Sequence, residues 1–318
     1  MTGIAYRNLG RSGLSVSTIG LGGNNFGRQG TVTESQEGTT SLIDAALDLG
    51  VTFIDTADIY SGKGLSETLI GVALEGRRDA VTIATKFGHP AFDMDIDPSL
   101  AKGSRAYIRL AIEGSLSRLR TDRVELYQMH APDPATPIEE TIAALDELVS
   151  EGKILAFGHS NFTVAQIDAA EAAASRLGGA RFESAQDEYS LLSRGVEQGV
   201  LPAVERAGLG FLPYFPLANG LLTGKYTRDS SPTDTRITRQ KPEVLENAPW
   251  DVLEAYAAMC QSRGISMLDA TFAWLLAQPC ITSVIAGATR PEQLAQNAAA
   301  ASTVLSEADV AEISRLFA

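Results

Sequence analysis

The chain has 318 residues, of which 44% are hydrophobic and 20% are charged, a composition typical of a soluble globular protein with a large core. Its 39 acidic and 26 basic residues give a net charge of −13, which argues against a nucleic-acid-binding surface. No apolar run approaches the roughly 20 residues of a membrane-spanning helix, and no signal-peptide core opens the chain, so we expect a cytoplasmic protein.

The cysteines and histidines give no metal-binding pattern. Cys260 and Cys280 lie outside any CxxC motif, so we interpret both as reduced, packed thiols. His89, His130 and His159 are widely spaced and lack the close pairing that a zinc site needs. The sequence therefore predicts a protein without a metal centre.

Short, mostly apolar segments alternate with helical patterns along the chain, as in buried parallel strands joined by helices. Eight segments have the strand pattern: residues 17–21, 52–55, 81–86, 124–130, 154–160, 182–189, 210–214 and 282–285. Apolar stripes at helical spacing lie between them, one of them formed by Leu110, Ile112, Leu116 and Leu119. The longest irregular stretch covers residues 218–249, and a loop of that length in a compact domain is usually functional.

These alternations predict an α/β fold, a (β/α)8 TIM barrel, in a single domain spanning residues 1–318. The alternative is a doubly wound open sheet, which needs a GxGxxG motif after its first strand. Residues 20–25 fail that motif, because Asn25 stands where the last glycine belongs. Residues 5–9 and 14–17 flank a turn rich in Gly and Ser, and we expect this β-hairpin to cap the bottom of the barrel.

Polar side chains end three neighbouring predicted strands. Asp55 ends the second strand, Lys86 the third and His130 the fourth, and Tyr60 follows Asp55 on the next loop. Active sites of α/β barrels lie at the carboxyl ends of the strands, so these four residues should meet there. Taken singly, each also fits a solvated, capping or core residue, and it is their convergence that favours catalysis.

This set of groups suits carbonyl reduction. Tyrosine has a pKa of about 10 and is a poor acid near neutrality, but a nearby ammonium stabilises the phenolate and lowers that pKa. Lys86 can supply the ammonium and Asp55 can keep it charged, which makes Tyr60 the general acid or base. His130 can hydrogen-bond the carbonyl oxygen and orient it.

Four segments in family order resemble the aldo-keto reductases: residues 53–60, 82–86, 126–130 and 158–162. The opening segments 6–10 and 13–17 are similar to those of the bacterial and potassium-channel β-subunit branches of that family. Channel subunits commonly carry Asn at the histidine position, so His130 favours a working catalyst. The resemblance implies a catalytic tetrad of Asp55, Tyr60, Lys86 and His130.

The resemblance also implies that a nicotinamide dinucleotide, NADPH, lies extended across the barrel mouth. Ser160, Asn161 and Gln186 would bind its amide, and Tyr214 would stack on the nicotinamide ring. The loop after Tyr214 would hold the pyrophosphate, with Lys225 adding a positive charge. The full predicted set of cofactor-binding residues is Gly22, Gly23, Asn24, Asp55, Ser160, Asn161, Gln186, Tyr214, Phe215, Pro216, Leu217, Asn219, Lys225, Arg236, Gly287, Thr289, Arg290, Gln293, Gln296 and Asn297.

The choice between NADPH and NADH depends on the adenosine end. Residues 287–297 follow the last strand and open a helix, whose N-terminus suits a 2′-phosphate. Other branches of the family carry Lys, Arg and Glu where this chain has Gly287, Gln293 and Gln296, but Arg290 could supply the missing positive charge. We predict NADPH as the cofactor, with NADH as a possible substitute.

We therefore expect an oxidoreductase that transfers a hydride between NADPH and the carbonyl of an aldehyde or ketone, or that oxidises the alcohol in reverse. Its partner would be a small carbonyl or alcohol, with neither nucleic acid nor membrane involved, while the substrate and oligomeric state stay open. The main alternative is an NADPH-binding regulatory or redox-sensing subunit with little turnover. A barrel enzyme of another reaction class and a non-catalytic binding protein are the remaining readings.

Overall fold

The structure, a computed structural model, describes residues 3–179, 181–233, 235, 237–238 and 241–318. The β-strands of these residues are β1 Tyr6–Asn8, β2 Ser15–Ser17, β3 Ile19–Gly22, β4 Phe53–Asp55, β5 Thr82–Phe87, β6 Val124–Met129, β7 Ile154–Ser160, β8 Phe182–Gln186, β9 Gly210–Phe211 and β10 Val284–Gly287. The α-helices are α1 Gln36–Asp48, α2 Leu65–Ala73, α3 Arg105–Leu119, α4 Ile138–Ser150, α5 Val164–Leu177, α6 Val200–Ala207, α7 Pro242–Glu246, α8 Trp250–Ser262, α9 Met267–Leu276, α10 Pro291–Ala300 and α11 Glu307–Leu316.

Strands β3 to β10 form one parallel sheet in the order β10-β3-β4-β5-β6-β7-β8-β9. The two ends of this order meet, because Phe211 in β9 hydrogen-bonds to the chain that leads into β10. Its N–H donates to the Cys280 carbonyl at 2.8 Å, and its carbonyl accepts from the Thr282 N–H at 2.9 Å. The sheet is therefore a closed barrel with helix after each strand, which confirms the predicted (β/α)8 fold over the doubly wound alternative.

Helices cover the outside of the barrel with their apolar sides. In α3 the buried residues include Ile108, Ile112 and Leu116, as helical spacing requires. Leu110, which we predicted to share this stripe, is 53% exposed, so that assignment is wrong. It lies two residues from both Ile108 and Ile112, roughly 200° around the helix, and therefore faces water. None of the described helices combines the length and the apolar character needed to cross a bilayer.

Local capping chemistry sets where the barrel helices begin. The Thr163 hydroxyl accepts from the Gln166 N–H, and the Gln166 side chain accepts from the Thr163 N–H, which starts α5 directly after the β7 loop. Pro137 immediately precedes α4, where a proline gives up no helical hydrogen bond. These short connections fix the helix positions and leave a few longer loops above the barrel.

The N-terminal hairpin closes the lower end of the barrel, as predicted. Strands β1 and β2 pair antiparallel, with Asn8 opposite Ser15. Leu9 and Val16 are fully buried and pack with inward-facing barrel residues such as Phe53. This apolar plug leaves the carboxyl ends of the strands, at the opposite rim, as the open end of the barrel.

Candidate active site

The parallel register brings the ends of neighbouring strands to one rim. Gly22 at the end of β3 pairs with Asp55 at the end of β4, and Gly287 at the end of β10 pairs with Gly22. On the other side of β4, Lys86 in β5 pairs with Gln128 in β6. The structure thus gathers the strand-end residues that the sequence singled out at one edge of the barrel.

Lys86 lies at the centre of this group. Its side chain is fully buried, and its Nζ donates to Asp55 Oδ2 at 2.7 Å, to the Thr56 carbonyl at 2.8 Å and to the Tyr60 hydroxyl at 3.2 Å. A buried ammonium needs such partners in place of water. Burial lowers the pKa of Lys86, but the Asp55 charge, Tyr60 and the hydrogen bonds to both outweigh it and keep that pKa above its ordinary value. Lys86 is therefore a fixed positive charge.

Two amide side chains hold the other oxygen of Asp55. Gln186 Nε2 donates to Asp55 Oδ1 at 2.8 Å, and Gln128 Nε2 donates to the same atom at 3.2 Å. Gln128 is absent from the residues that the sequence assigned to the site. A signal for it exists, because it is polar within an apolar strand and lies two residues before His130, on the same face. Asp55 is thus bound through both oxygens, to one cation and two amides.

Tyr60 keeps its proton at neutral pH. Burial raises the pKa of the Tyr60 phenol more than the Lys86 charge lowers it, and the Asp55 charge raises it further. We predicted from the sequence that the ammonium lowers this pKa; the net direction is the opposite, because the phenolate is desolvated in this pocket. Hydrogen bonds from Lys86 and Asn24 to the phenol favour the ionised form and moderate the rise.

His130 stands next to Tyr60 as a neutral ring. The two ring centroids are 6.0 Å apart, with the rings nearly perpendicular. Burial, and then the charge of Lys86, lowers the pKa of His130 well below its ordinary value. Its Nδ1 is buried and has no hydrogen-bond partner within the described part of the chain. A neutral imidazole carries one N–H, so His130 can offer a hydrogen bond to an oxygen that lies beside Tyr60.

Ser160, Asn161 and Tyr214 are linked to one another beside these four side chains. Asn161 has a left-handed backbone (φ 62°); its Nδ2 donates to Ser160 Oγ at 3.0 Å and to the His130 carbonyl at 3.0 Å. The Tyr214 hydroxyl donates to Asn161 Oδ1 at 2.9 Å, and Ser160 Oγ donates to the Gln186 carbonyl at 2.7 Å. The residues predicted to bind the nicotinamide end therefore form one polar group that adjoins the tetrad.

The end of β3 contributes a surface that is almost free of side chains. Gly22 and Gly23 are buried, and a Cβ on Gly23 would lie 3.1 Å from the Asp55 carbonyl oxygen. A Cβ on Gly287 would lie 2.8 Å from Asn25 Nδ2, so only glycine fits there without a shift. Asn24, which follows Gly23, reaches the Tyr60 phenol. Backbone, with no Cβ to cover it, therefore lines this part of the rim.

The predicted pyrophosphate loop has an irregular backbone. Phe215, Ala218 and Asn219 all have positive φ, of 52°, 45° and 58°. Asn219 Oδ1 is buried without a hydrogen-bond partner among the residues described. Between them Pro216 is buried and Leu217 is half-buried. A strained turn with an unsatisfied polar atom is typical of a segment that binds a ligand.

Lys225 folds back over this loop. Its Nζ lies 5.0 Å from the centroid of the Tyr226 ring and would be 3.2 Å from a Cβ on Gly220. The side chain is exposed, and the described residues give it no carboxylate partner within salt-bridge distance. Its charge is therefore available beside the turn. Arg236, the other cation predicted for this loop, lies outside the described residues.

At the adenosine end, the Gln293 side chain caps the start of α10. Its Oε1 accepts from the Thr289 N–H at 2.9 Å and from the Thr289 hydroxyl at 3.1 Å. Arg290 is the N-cap residue and is exposed, with no side-chain cap of its own. On the helix itself, Gln296 is exposed and Asn297 is buried. The exposed cation and the helix N-terminus thus lie together, a combination suited to an anion.

Comparison with known proteins gives a consistent answer. The model of the aldo/keto reductase family matches residues 18–317. An uncharacterized oxidoreductase of Bacillus subtilis is 39% identical over 91% of this chain and 88% of its own length. L-glyceraldehyde 3-phosphate reductase of Escherichia coli is 35% identical over 92% of this chain and 86% of its own length. A probable voltage-gated potassium channel subunit beta of Oryza sativa is 35% identical over 92% and 89%. The chain is an oxidoreductase and belongs to the aldo/keto reductase family.

Proposed function

We propose that the chain uses NADPH to reduce the carbonyl of a small aldehyde or ketone in the cytoplasm, and that it can oxidise the corresponding alcohol in reverse. The observation that carries this proposal is the sequence of contacts from Asp55 through Lys86 to Tyr60, with 2.7 Å and 3.2 Å between the polar atoms. Burying an ion pair is costly, and one that ends on a phenol at an open rim is typical of a catalytic site.

Tyr60 donates the proton in this proposal. Its phenol is in the acid form at neutral pH, and Lys86 stabilises the phenolate that remains after transfer to the carbonyl oxygen. His130 donates a hydrogen bond to the same oxygen, which orients the carbonyl and favours negative charge on it. NADPH, when bound, supplies the hydride to the carbonyl carbon. Asp55 holds Lys86 in place, and its own position is fixed by Gln128 and Gln186.

The residues along the rim fit an extended dinucleotide. The glycines at the ends of β3 and β10 would let it approach the backbone, and Ser160 with Asn161 offers polar groups for the nicotinamide amide. Tyr214 offers a flat ring for stacking. The unsatisfied Oδ1 of Asn219 and the exposed Lys225 suit the pyrophosphate segment. Gln186 would act mainly through Asp55, since its Nε2 is already donated there.

Arg290 and the N-terminus of α10 favour NADPH over NADH, because both attract the negative charge of a 2′-phosphate. Titration of the protein with each dinucleotide, followed by tryptophan fluorescence, tests this preference. We expect NADPH to bind more tightly, and Arg290→Ala to weaken NADPH binding while leaving NADH binding nearly unchanged. Tighter binding of NADH to the unaltered protein would contradict the choice of cofactor.

A regulatory subunit with little turnover is the second candidate, because relatives of similar identity are named as potassium channel subunits. A panel of aldehydes and ketones, followed by the loss of NADPH absorbance, separates the two. We expect repeated turnover with at least one reactive aldehyde, and its loss in Tyr60→Phe. Oxidation of only one equivalent of bound NADPH would favour the regulatory role, and failure to bind any nicotinamide would contradict both.

A further inference from the structure

A second imidazole adjoins His130 at the rim. His89 follows β5 by two residues, and its ring centroid lies 4.8 Å from that of His130, with the rings nearly perpendicular. His89 is half-buried, as is His130. Lys86, at the other end of the same short stretch, is in the proposed catalytic group. His89 therefore lies where a substrate held by Tyr60 and His130 would extend.

Several contacts fix the His89 ring. Its Nδ1 accepts a hydrogen bond from the Ala91 N–H at 3.2 Å, and its carbonyl accepts from Lys102 Nζ at 2.8 Å. Phe92 packs edge-on at 5.0 Å between ring centroids. The ring is held by the Ala91 hydrogen bond and by Phe92, and Lys102 holds the backbone beneath it, so the side chain is pre-organised and a bond from it to a ligand costs little conformational entropy.

The contact with Ala91 also fixes which nitrogen carries the proton. Because Nδ1 accepts a hydrogen bond, the neutral ring must carry its hydrogen on Nε2. Burial, and then the charge of Lys102, lowers the pKa of His89, which keeps the ring neutral at pH 7. Within the described residues, no hydrogen bond engages Nε2. His89 thus offers one unused N–H donor next to the site.

We infer that His89 is a specificity-determining residue that donates a hydrogen bond to an oxygen on the carbon next to the reacting carbonyl. Two neighbouring imidazoles, each with one N–H, suit two oxygens on adjacent carbons of one small molecule. The preferred substrates are then α-oxygenated carbonyls, such as 2-hydroxyaldehydes. This inference rests on the proposed carbonyl reductase function.

The test compares kcat/KM for 2-hydroxypropanal and for propanal, which differ only in the α-hydroxyl group. We expect the unaltered enzyme to prefer 2-hydroxypropanal, and His89→Phe to reduce that ratio by about tenfold, the effect of one neutral hydrogen bond. His89→Gln keeps an N–H donor and should retain most of the preference. His159→Phe makes the same substitution at a buried histidine packed between phenylalanines, and should leave the ratio unchanged.

Two results would overturn the inference while leaving the proposed function intact. If His89→Phe changes kcat/KM for neither substrate, the N–H does not contact the α-oxygen. If kcat/KM falls equally for both substrates, so that their ratio is unchanged, His89 only supports the local structure. If the unaltered enzyme binds NADPH but reduces neither aldehyde nor any other carbonyl, the proposed function itself fails, and the inference fails with it.

Discussion

His159 gives a stability prediction whose size follows from its surroundings. It is 1% exposed, and its ring stacks on Phe162 at 4.4 Å and meets Phe182 edge-on at 5.3 Å. Neither ring nitrogen has a hydrogen-bond partner among the described residues. Charging such a ring would require an unpaired buried cation, so burial lowers the pKa of His159 from 6.5 to about 3.

The direction of the effect follows from proton uptake. Below pH 6.5 the unfolded chain binds a proton at His159, whereas the folded chain does not until about pH 3. Stability is therefore fully present above the unfolded pKa and is lost as the pH falls towards 3. At about pH 5, which is about 1.5 units below the unfolded pKa, protonation stabilises the unfolded state by about 2 kcal/mol, at 1.36 kcal/mol per unit.

Urea unfolding of the wild type and of His159→Phe, measured at several pH values between about 5 and 8, tests this size. The fluorescence of the buried Trp274 provides the signal. We expect the variant to gain about 2 kcal/mol relative to the wild type between about pH 8 and 5. His159→Asn also removes the titrating group. Its stability relative to wild type should change with pH by the same amount, although the variant is less stable than His159→Phe by a constant at every pH. A stability difference that does not change with pH would refute this account of His159.

Other substitutions probe the buried charges. Lys86→Met should lower the unfolding free energy by about 3 kcal/mol, because Asp55 is left without its cation. Adding Asp55→Asn to this variant should restore part of the lost stability. Lys86→Met should also move the acidic limb of the pH–rate profile for alcohol oxidation to higher pH, because the Lys86 charge lowers the pKa of Tyr60. Burial and the charge of Glu67 raise the pKa of Asp58 to about 7. The unfolding free energy of Asp58→Asn should therefore rise relative to wild type by about 1.4 kcal/mol for each pH unit between about 4 and 7.

Urea unfolding and pH–rate profiles measure these effects. An unchanged pH–rate profile in Lys86→Met would show that Lys86 takes no part in the proton transfer. If the changes in unfolding free energy caused by Lys86→Met and Asp55→Asn simply add, the two residues are not a coupled pair. For Asp58 the sign is opposite to that of His159: the folded chain binds the proton more tightly, so wild-type stability falls as the pH rises. A constant difference for Asp58→Asn would contradict the burial argument.

The residues that the sequence identified best are those whose position follows from a rule of the fold. Asp55, Lys86 and His130 end neighbouring strands, and in a parallel barrel such ends must meet. The hairpin with Leu9 and Val16 was also predictable, because its turn, rich in Gly and Ser, is a local signal. Strand existence and order were therefore predictable from the chain alone.

What could not be predicted depends on three-dimensional balance. The pKa of Tyr60 is raised because burial outweighs the effect of a nearby charge, and the degree of burial of a side chain cannot be read from the sequence. Gln128 carries a signal, as a polar residue two positions before His130, but a polar residue within a strand does not by itself indicate which side chain it contacts. The exposure of Leu110 could not be predicted without knowing which side of α3 faces the barrel. β8 ends at Gln186 rather than at residue 189, although Glu188 still pairs with Tyr214 as an isolated bridge beyond the continuous ladder.

A single-turnover experiment on Tyr60→Phe tests the central claim, that this phenol protonates the reduced carbonyl. Protein preloaded with NADPH is mixed with a reactive aldehyde, and the loss of NADPH absorbance is followed alongside the NADPH dissociation constant. We expect the rate to fall about 100-fold or more while cofactor affinity stays nearly unchanged. A rate close to that of the wild type would contradict the assignment of Tyr60 as the proton donor.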